Sequence, residues 1–219
     1  MSGYPKLAFL VLFSLVSLTW AVPKKAPQII SSAEIAKVNA ENGFLAARRL
    51  EAWQELVNKA FKKPERLKLI LVNDFFNRSK FVSDIKNWKK KDYWATPKEL
   101  LIKDAGDCED YVVAKFITLK AVGIDKEKLY LSYVKAVRLK QSHMVLTYFK
   151  RPGKVPLVLD NLNKRILKAT KRKDLIPIYS FNGDGLWLAK QRGKGRKLKD
   201  SAQGIEKWQN LQQKLSRGN

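Results

Sequence analysis

The chain has 219 residues, 45% of them hydrophobic and 11% aromatic. That length favours one domain with appendages over two full domains, and that apolar content excludes a disordered chain. The net charge of +24 suits anionic partners, but no recognised nucleic-acid motif accompanies it, and a single cysteine excludes an internal disulfide framework.

The chain opens with Lys6 followed by an apolar run from Leu7 to Leu18, then Thr19-Trp20-Ala21. A basic start, a short apolar run and small residues at both peptidase-read positions predict a secretory signal over residues 1–21, cleaved after Ala21. The run is shorter than the roughly 20 residues that a bilayer-spanning helix needs. Residues 22–32 read as a linker. From Ala33 to Phe61, Phe44, Ala47, Trp53, Leu56, Val57, Ala60 and Phe61 fall at three- and four-residue steps, a helical pattern that Gly43 splits. Pro64-Glu65 opens a further helix, with Leu67, Ile70, Leu71 and Phe75 expected on its inner face.

Residues 79–95 read as a short helix or a loop that packs Phe81, Ile85, Trp88, Tyr93 and Trp94 inward. Thr96-Pro97-Lys98-Glu99 is a capping-box start for a short helix ended by Ala105-Gly106. Asp107 caps the next helix, with Asp110 three residues on, and Gly123 stops it. This helix is apolar on most sides and so is expected to be central. The pattern then changes to strands: Leu129 to Val137, His143 to Phe149, Val155 to Leu159, Pro177 to Phe181 and Leu186 to Ala189. Beyond Lys190 the chain is polar and basic, with Ile205, Trp208, Leu211 and Leu215 at helical spacing, either a short amphipathic helix or a frayed end. Helices first and antiparallel strands later predict an α+β domain over 33–190, followed by a basic tail over 191–219.

The chemistry concentrates at Ala105-Gly106-Asp107-Cys108-Glu109-Asp110, which holds the sole cysteine. An unpaired thiol in an exported protein is a liability unless it is buried or used. Cys108 lies in the first turn of a helix, where the positive end of the helix dipole lowers a thiol's pKa. The sole histidine, His143, can act as its base, and Asp160, at the end of the third strand, can orient that imidazole. Asp107, Glu109 and Asp110 oppose this by repelling a thiolate. A hard cation such as Ca²⁺ would offset them, although the EF-hand loop pattern is absent. Asp107 and Asp110 have a sufficient explanation as caps, and the basic runs at Lys86–Lys91, Lys164–Lys173 and Lys190–Lys199 read as solvated faces.

Several separated strings resemble one family in the right order. They are Asp92-Tyr93-Trp94-Ala95-Thr96-Pro97, the Ala105–Tyr111 stretch, Ser142-His143-Met144-Val145-Leu146, Leu157-Val158-Leu159-Asp160-Asn161, and Tyr179 to Trp187. Over residues 40–190 the chain resembles the bacterial transglutaminase-like cysteine proteinases, and within them the LapG-type periplasmic adhesin proteases. The resemblance implies a papain-like, transglutaminase-like fold with N-terminal helices packed on an antiparallel sheet. It implies Cys108 as nucleophile, His143 as general base and Asp160 as its orienter. It also implies calcium held by Asp107 and Glu109, with Asp110 and Asp92 as further ligand candidates. Its members are periplasmic, cut the N-terminal region of a large surface adhesin, and so promote biofilm dispersal. An inner-membrane receptor for cyclic di-GMP sequesters them. Two other functions fit the residues alone: an exported transglutaminase-type acyltransferase using the same acyl-enzyme, and a non-catalytic basic module for anionic polymer or membrane.

Overall fold

The computed structural model describes residues 25–182, 185–190, 193–198 and 203–217, so the expected leader lies outside the described residues. Among the described residues, seven α-helices and nine strands follow one another as α1 (Ser32–Asn42), α2 (Phe44–Phe61), α3 (Glu65–Phe76), β1 (Lys80–Phe81), α4 (Asp84–Trp88), α5 (Pro97–Lys103), β2 (Ala105–Gly106), α6 (Cys108–Ala121), β3 (Leu129–Ala136), β4 (Gln141–Tyr148), β5 (Leu157–Leu159), β6 (Leu167–Lys168), β7 (Leu175–Asn182), β8 (Gly185–Lys190), β9 (Gly193–Leu198) and α7 (Gln203–Ser216). Seven strands form one antiparallel sheet in the order β6-β5-β4-β3-β7-β8-β9. β1 and β2 form a separate parallel pair. The expected α+β class, with helices first and an antiparallel sheet after, is what the chain adopts.

Local signals explain the helix ends. Ser31 and Glu34 form a capping box at α1, and Thr96 and Glu99 form another at α5. Gly43 breaks α1 from α2 with a positive φ of 85° that a side chain would strain. α2 buries Ala46, Ala47, Leu50, Trp53, Leu56, Val57 and Ala60, a stripe at helical spacing. Trp53 also donates its indole hydrogen to Thr118 Oγ1 at 2.8 Å, which ties α2 to α6.

α6 is the central element. It buries Tyr111, Val112, Val113, Ala114, Phe116 and Leu119, and touches α2, α3, α5, β3 and β4. The sheet alternates around it. Leu129, Leu131, Met144, Leu146, Leu159 and Phe181 join the main core, while Val134, Ala136, Val145, Val158 and Leu175 form a smaller second cluster.

Four readings of the sequence change. α3 buries Leu69, Val72 and Phe76, with Lys68 and Asn73, rather than the expected Leu67–Phe75 set, and Leu67 is exposed. Both Lys68 and Asn73 count as polar in any periodicity, which rotates the apparent inner face. Phe81 and Ile85 are exposed rather than packed inward, since main-chain pairing of β1 holds that segment. β6 and β9 carry no apolar alternation and exist by backbone pairing with their neighbours. The folded body also extends past Lys190: in α7, Trp208 and Leu211 are buried, and Trp208 meets the rings of Phe116 and Phe181.

Candidate active site

Parallel pairing of β1 with β2 builds one side of the site. Lys80 pairs with Ala105 and Phe81 with Gly106, and the Val82 amide donates to the Gly106 carbonyl at 3.0 Å. This brings Asp84, at the start of α4, beside Asp107, at the start of α6. A Cβ on Gly106 would lie 2.6 Å from Asp110 Oδ2 and 2.7 Å from Leu100 Cδ1, so only glycine admits this close passage. Asp110 is fully buried. Its Oδ1 accepts from the Ala95 amide (2.7 Å) and its Oδ2 from the Asp107 amide (3.2 Å), closing the capping box expected for α6.

Asp84, Asp92, Asp107, Glu109 and Asp110 converge into one acidic cluster. Oxygens of Asp84, Asp92 and Glu109 lie within 4.8 Å of one another, as do those of Asp84, Asp107 and Asp110. Asp84 Oδ1 and Asp107 Oδ1 are buried with no hydrogen-bond partner among the described residues. Burial, then the neighbouring charge of Asp107, pushes the Asp84 carboxyl up to about 6. Burial and the Glu109 charge push Asp107 up to about 8. Orphaned carboxylate oxygens in a cluster of this kind fit a hard divalent cation. Asp84 is the residue that sequence reasoning missed. It sits in an unremarkable helix start, and only the β1–β2 pairing reveals its neighbours.

Asp92 adopts a left-handed φ of 52°, accepts from the Trp94 indole at 3.1 Å and pairs with Lys207 of α7 at 2.8 Å. Trp94, buried, stacks on Phe181 with centroids 6.2 Å apart and so steadies this loop.

Cys108 occupies the first position of α6 and is partly exposed. Its thiol donates to Glu109 Oε2 at 3.1 Å, and the backbone N–H of Met144, the residue after His143, faces its sulfur. Burial, followed by the charges of Glu109 and Asp107, pushes the thiol well above its ordinary range.

His143 and Asp160 meet on the other side. Both are buried, and His143 Nε2 lies 2.8 Å from Asp160 Oδ1. An ionised carboxylate only accepts, so Nε2 carries the hydrogen and Nδ1 keeps its lone pair. Arg172 Nη2 donates to Asp160 Oδ2 at 2.7 Å, and the Leu162 amide to Oδ1 at 3.0 Å. Burial alone would raise the Asp160 carboxyl, but these hydrogen bonds and the nearby positive charges hold it down at about 2. Arg172 corrects another reading: it belongs to the Lys164–Lys173 run expected to be a solvated face, yet it is buried on Asp160.

No curated protein matches the chain at the sequence level. Solved structures of LapG from Legionella pneumophila do match. One is 37% identical, covers 85% of this chain and 98% of its own, and superposes with a TM-score of 0.71. A calcium-bound form is 39% identical, with 85% and 99% covered and a TM-score of 0.72. An EGTA-treated form is 38% identical, with 85% and 98% covered and a TM-score of 0.72. The family model of bacterial transglutaminase-like cysteine proteinases (BTLCP) matches residues 50–188, a span that holds Cys108, His143, Asp160, Arg172 and the whole acidic cluster. The chain belongs to the bacterial transglutaminase-like cysteine proteinase family and is a cysteine protease with a LapG-like fold.

Proposed function

We propose that this chain is a periplasmic, calcium-dependent cysteine endopeptidase that cuts the N-terminal region of a large surface adhesin and so promotes biofilm dispersal. The observation that carries the reading is the meeting of two elements. The start of α6 holds Cys108 against the Met144 amide, and the preceding residue, His143, is locked onto Asp160 at 2.8 Å.

Asp160 keeps the His143 hydrogen on Nε2, so Nδ1 is the nitrogen that takes the Cys108 proton. The thiolate adds to the scissile carbonyl. The Cys108 backbone N–H, which has no acceptor within the helix at this first position, faces the developing oxyanion. The imidazolium then returns its proton to the leaving amine, giving an acyl-enzyme on Sγ. Water attacks this thioester with His143 as base, which releases the acid product and restores the thiol.

Asp107, Glu109 and Asp92, with Asp84 added and Asp110 at their side, would hold the calcium. Calcium supplies the positive charge that this cluster lacks beside the thiol. The forms of L. pneumophila LapG solved with calcium and after EGTA support this reading. The family resemblance of the sequence motivates an inner-membrane receptor for cyclic di-GMP as the inhibitory partner.

The test is cleavage. Purified protein with calcium cuts the N-terminal segment of a candidate adhesin, and Cys108→Ala does not. Cutting that persists in Cys108→Ala contradicts the assignment, and a crosslinked product in place of hydrolysis points to acyl transfer.

A further inference from the structure

The chain carries 44 lysines and arginines. Among the residues whose side chains are described, only Lys68, Lys115 and Arg172 are buried. Burying a cation costs several kcal/mol unless it is paired and hydrogen-bonded. Two of these three converge on Asp160 from different elements. Arg172, in the turn before β7, donates to the carboxylate at 2.7 Å and is itself held by Asp174 through Nε (2.9 Å) and Nη2 (2.7 Å). Lys115, on α6 two turns beyond Cys108, is fully buried and donates to Asn77 Oδ1 at 2.7 Å. Asn77 in turn donates to the Asp160 backbone carbonyl at 2.9 Å. Asn73, one turn before Asn77, donates to the Lys164 carbonyl at 2.8 Å and pins the same loop further on.

Asp160 lies just past the end of β5, where no strand partner fixes it. A carboxylate there could rotate about χ1 and χ2 and leave His143 without its acceptor. Two clamps oppose this, one on the carboxylate and one on the main chain that carries it. Arg172 fixes Oδ2, so that Oδ1 faces His143. The Lys115–Asn77 pair fixes the main chain from which the carboxylate hangs.

We propose that Arg172 and the Lys115–Asn77 pair are positioning residues of the proteinase. They hold Asp160 in register with His143, and so fix the imidazole tautomer that leaves Nδ1 free for Cys108. This rests on the triad reading above, because it gives these residues no contact with substrate. It also explains why a strongly basic chain buries these two cations where it does.

His143 is the sole histidine, so ¹⁵N-histidine labelling of a protein without a histidine tag gives one imidazole to follow. The wild type, with calcium present, is expected to show the Nε2–H tautomer in the neutral ring. In Arg172→Met, with folding checked by circular dichroism, the ring is expected to become a tautomer mixture. Alkylation of Cys108 by iodoacetamide is expected to slow about 10- to 100-fold, the scale on which outer partners of an oriented imidazole act. Arg172→Lys, which keeps the charge, should recover much of both. Lys115→Met should move both the same way by less. A folded Arg172→Met with wild-type tautomer and labelling rate overturns the proposal. If Arg172→Met does not fold, Lys115→Met decides, and a wild-type tautomer with a wild-type labelling rate in that folded variant overturns it. Cleavage that survives Cys108→Ala would instead remove the nucleophile reading, a result the imidazole signal does not share.

Discussion

The two halves of the site contain the same residue type in opposite states. On the strand side, Asp160 is surrounded by His143, Arg172 and the Leu162 amide, and its carboxyl is held at about 2. On the helix side, Asp84 and Asp107 crowd together with further acids, and their carboxyls are pushed up to about 6 and about 8. Asp84 is buried like Asp160, so burial alone does not separate the two halves. What separates them is the supply of positive charge. The strand side carries its own cations in the chain, whereas among the described residues the helix side has Lys207 at Asp92.

One substitution applied to both halves breaks the comparison most sharply. Asp160→Asn removes one of the two carboxylates on buried Arg172, leaving Asp174, and loses a charge-assisted hydrogen bond, which should cost about 1.5–3 kcal/mol of stability. It should also lower turnover by about 10²–10⁴-fold through the wrong tautomer. Urea denaturation and cleavage rates read both. Asp84→Asn and Asp107→Asn, measured in EGTA, should do the reverse and raise the melting temperature, since each removes a like charge from an uncompensated cluster. The same two changes should weaken calcium binding by calorimetry, about 10-fold or more. A fall in melting temperature for all three variants in EGTA would show that the helix side is already compensated.

The next effect depends on pH. Burial lowers the Lys115 ammonium to about 7, below its unfolded value, so the unfolded chain binds more protons between about pH 7 and 10. The contribution of Lys115 to stability should therefore improve as pH rises through that window, by on the order of 1 kcal/mol per pH unit. Subtracting Lys115→Met from the wild type in urea titrations at several pH values isolates this slope. Asp160 gives the mirror case: its stabilisation is present above about pH 4 and is lost as pH falls toward 2. The smallest effect lies outside both halves. Thr96→Ala removes the α5 capping box and should cost about 1 kcal/mol by the same denaturation, with little change in turnover.

Much of this could be read before any fold was known, because its signals are local. The capping box at Thr96, the Asp107 cap, the break at Gly43 and the β3–β4 hairpin all arise within a few residues of sequence. The residues at the site that stayed hidden depend on distant pairings. Asp84 reaches Asp107 only because β1 pairs with β2. Arg172 reaches Asp160 only because the chain turns back toward β7 after β6, and it lies among lysines that resemble a solvated face. The inner face of α3 was misplaced because Lys68 and Asn73 break the apolar pattern, yet both are buried, and Asn73 serves the Asp160 loop.

The central claim is that a cation on the acidic cluster makes Cys108 a nucleophile. Cys108 is the sole cysteine, so its rate of alkylation by iodoacetamide at neutral pH reports on that one sulfur. The rate should be slow in EGTA, where burial and the Glu109 and Asp107 charges hold the thiol protonated, and should rise at least about 10-fold when calcium is added. Equal rates with and without calcium, in folded protein, would contradict it.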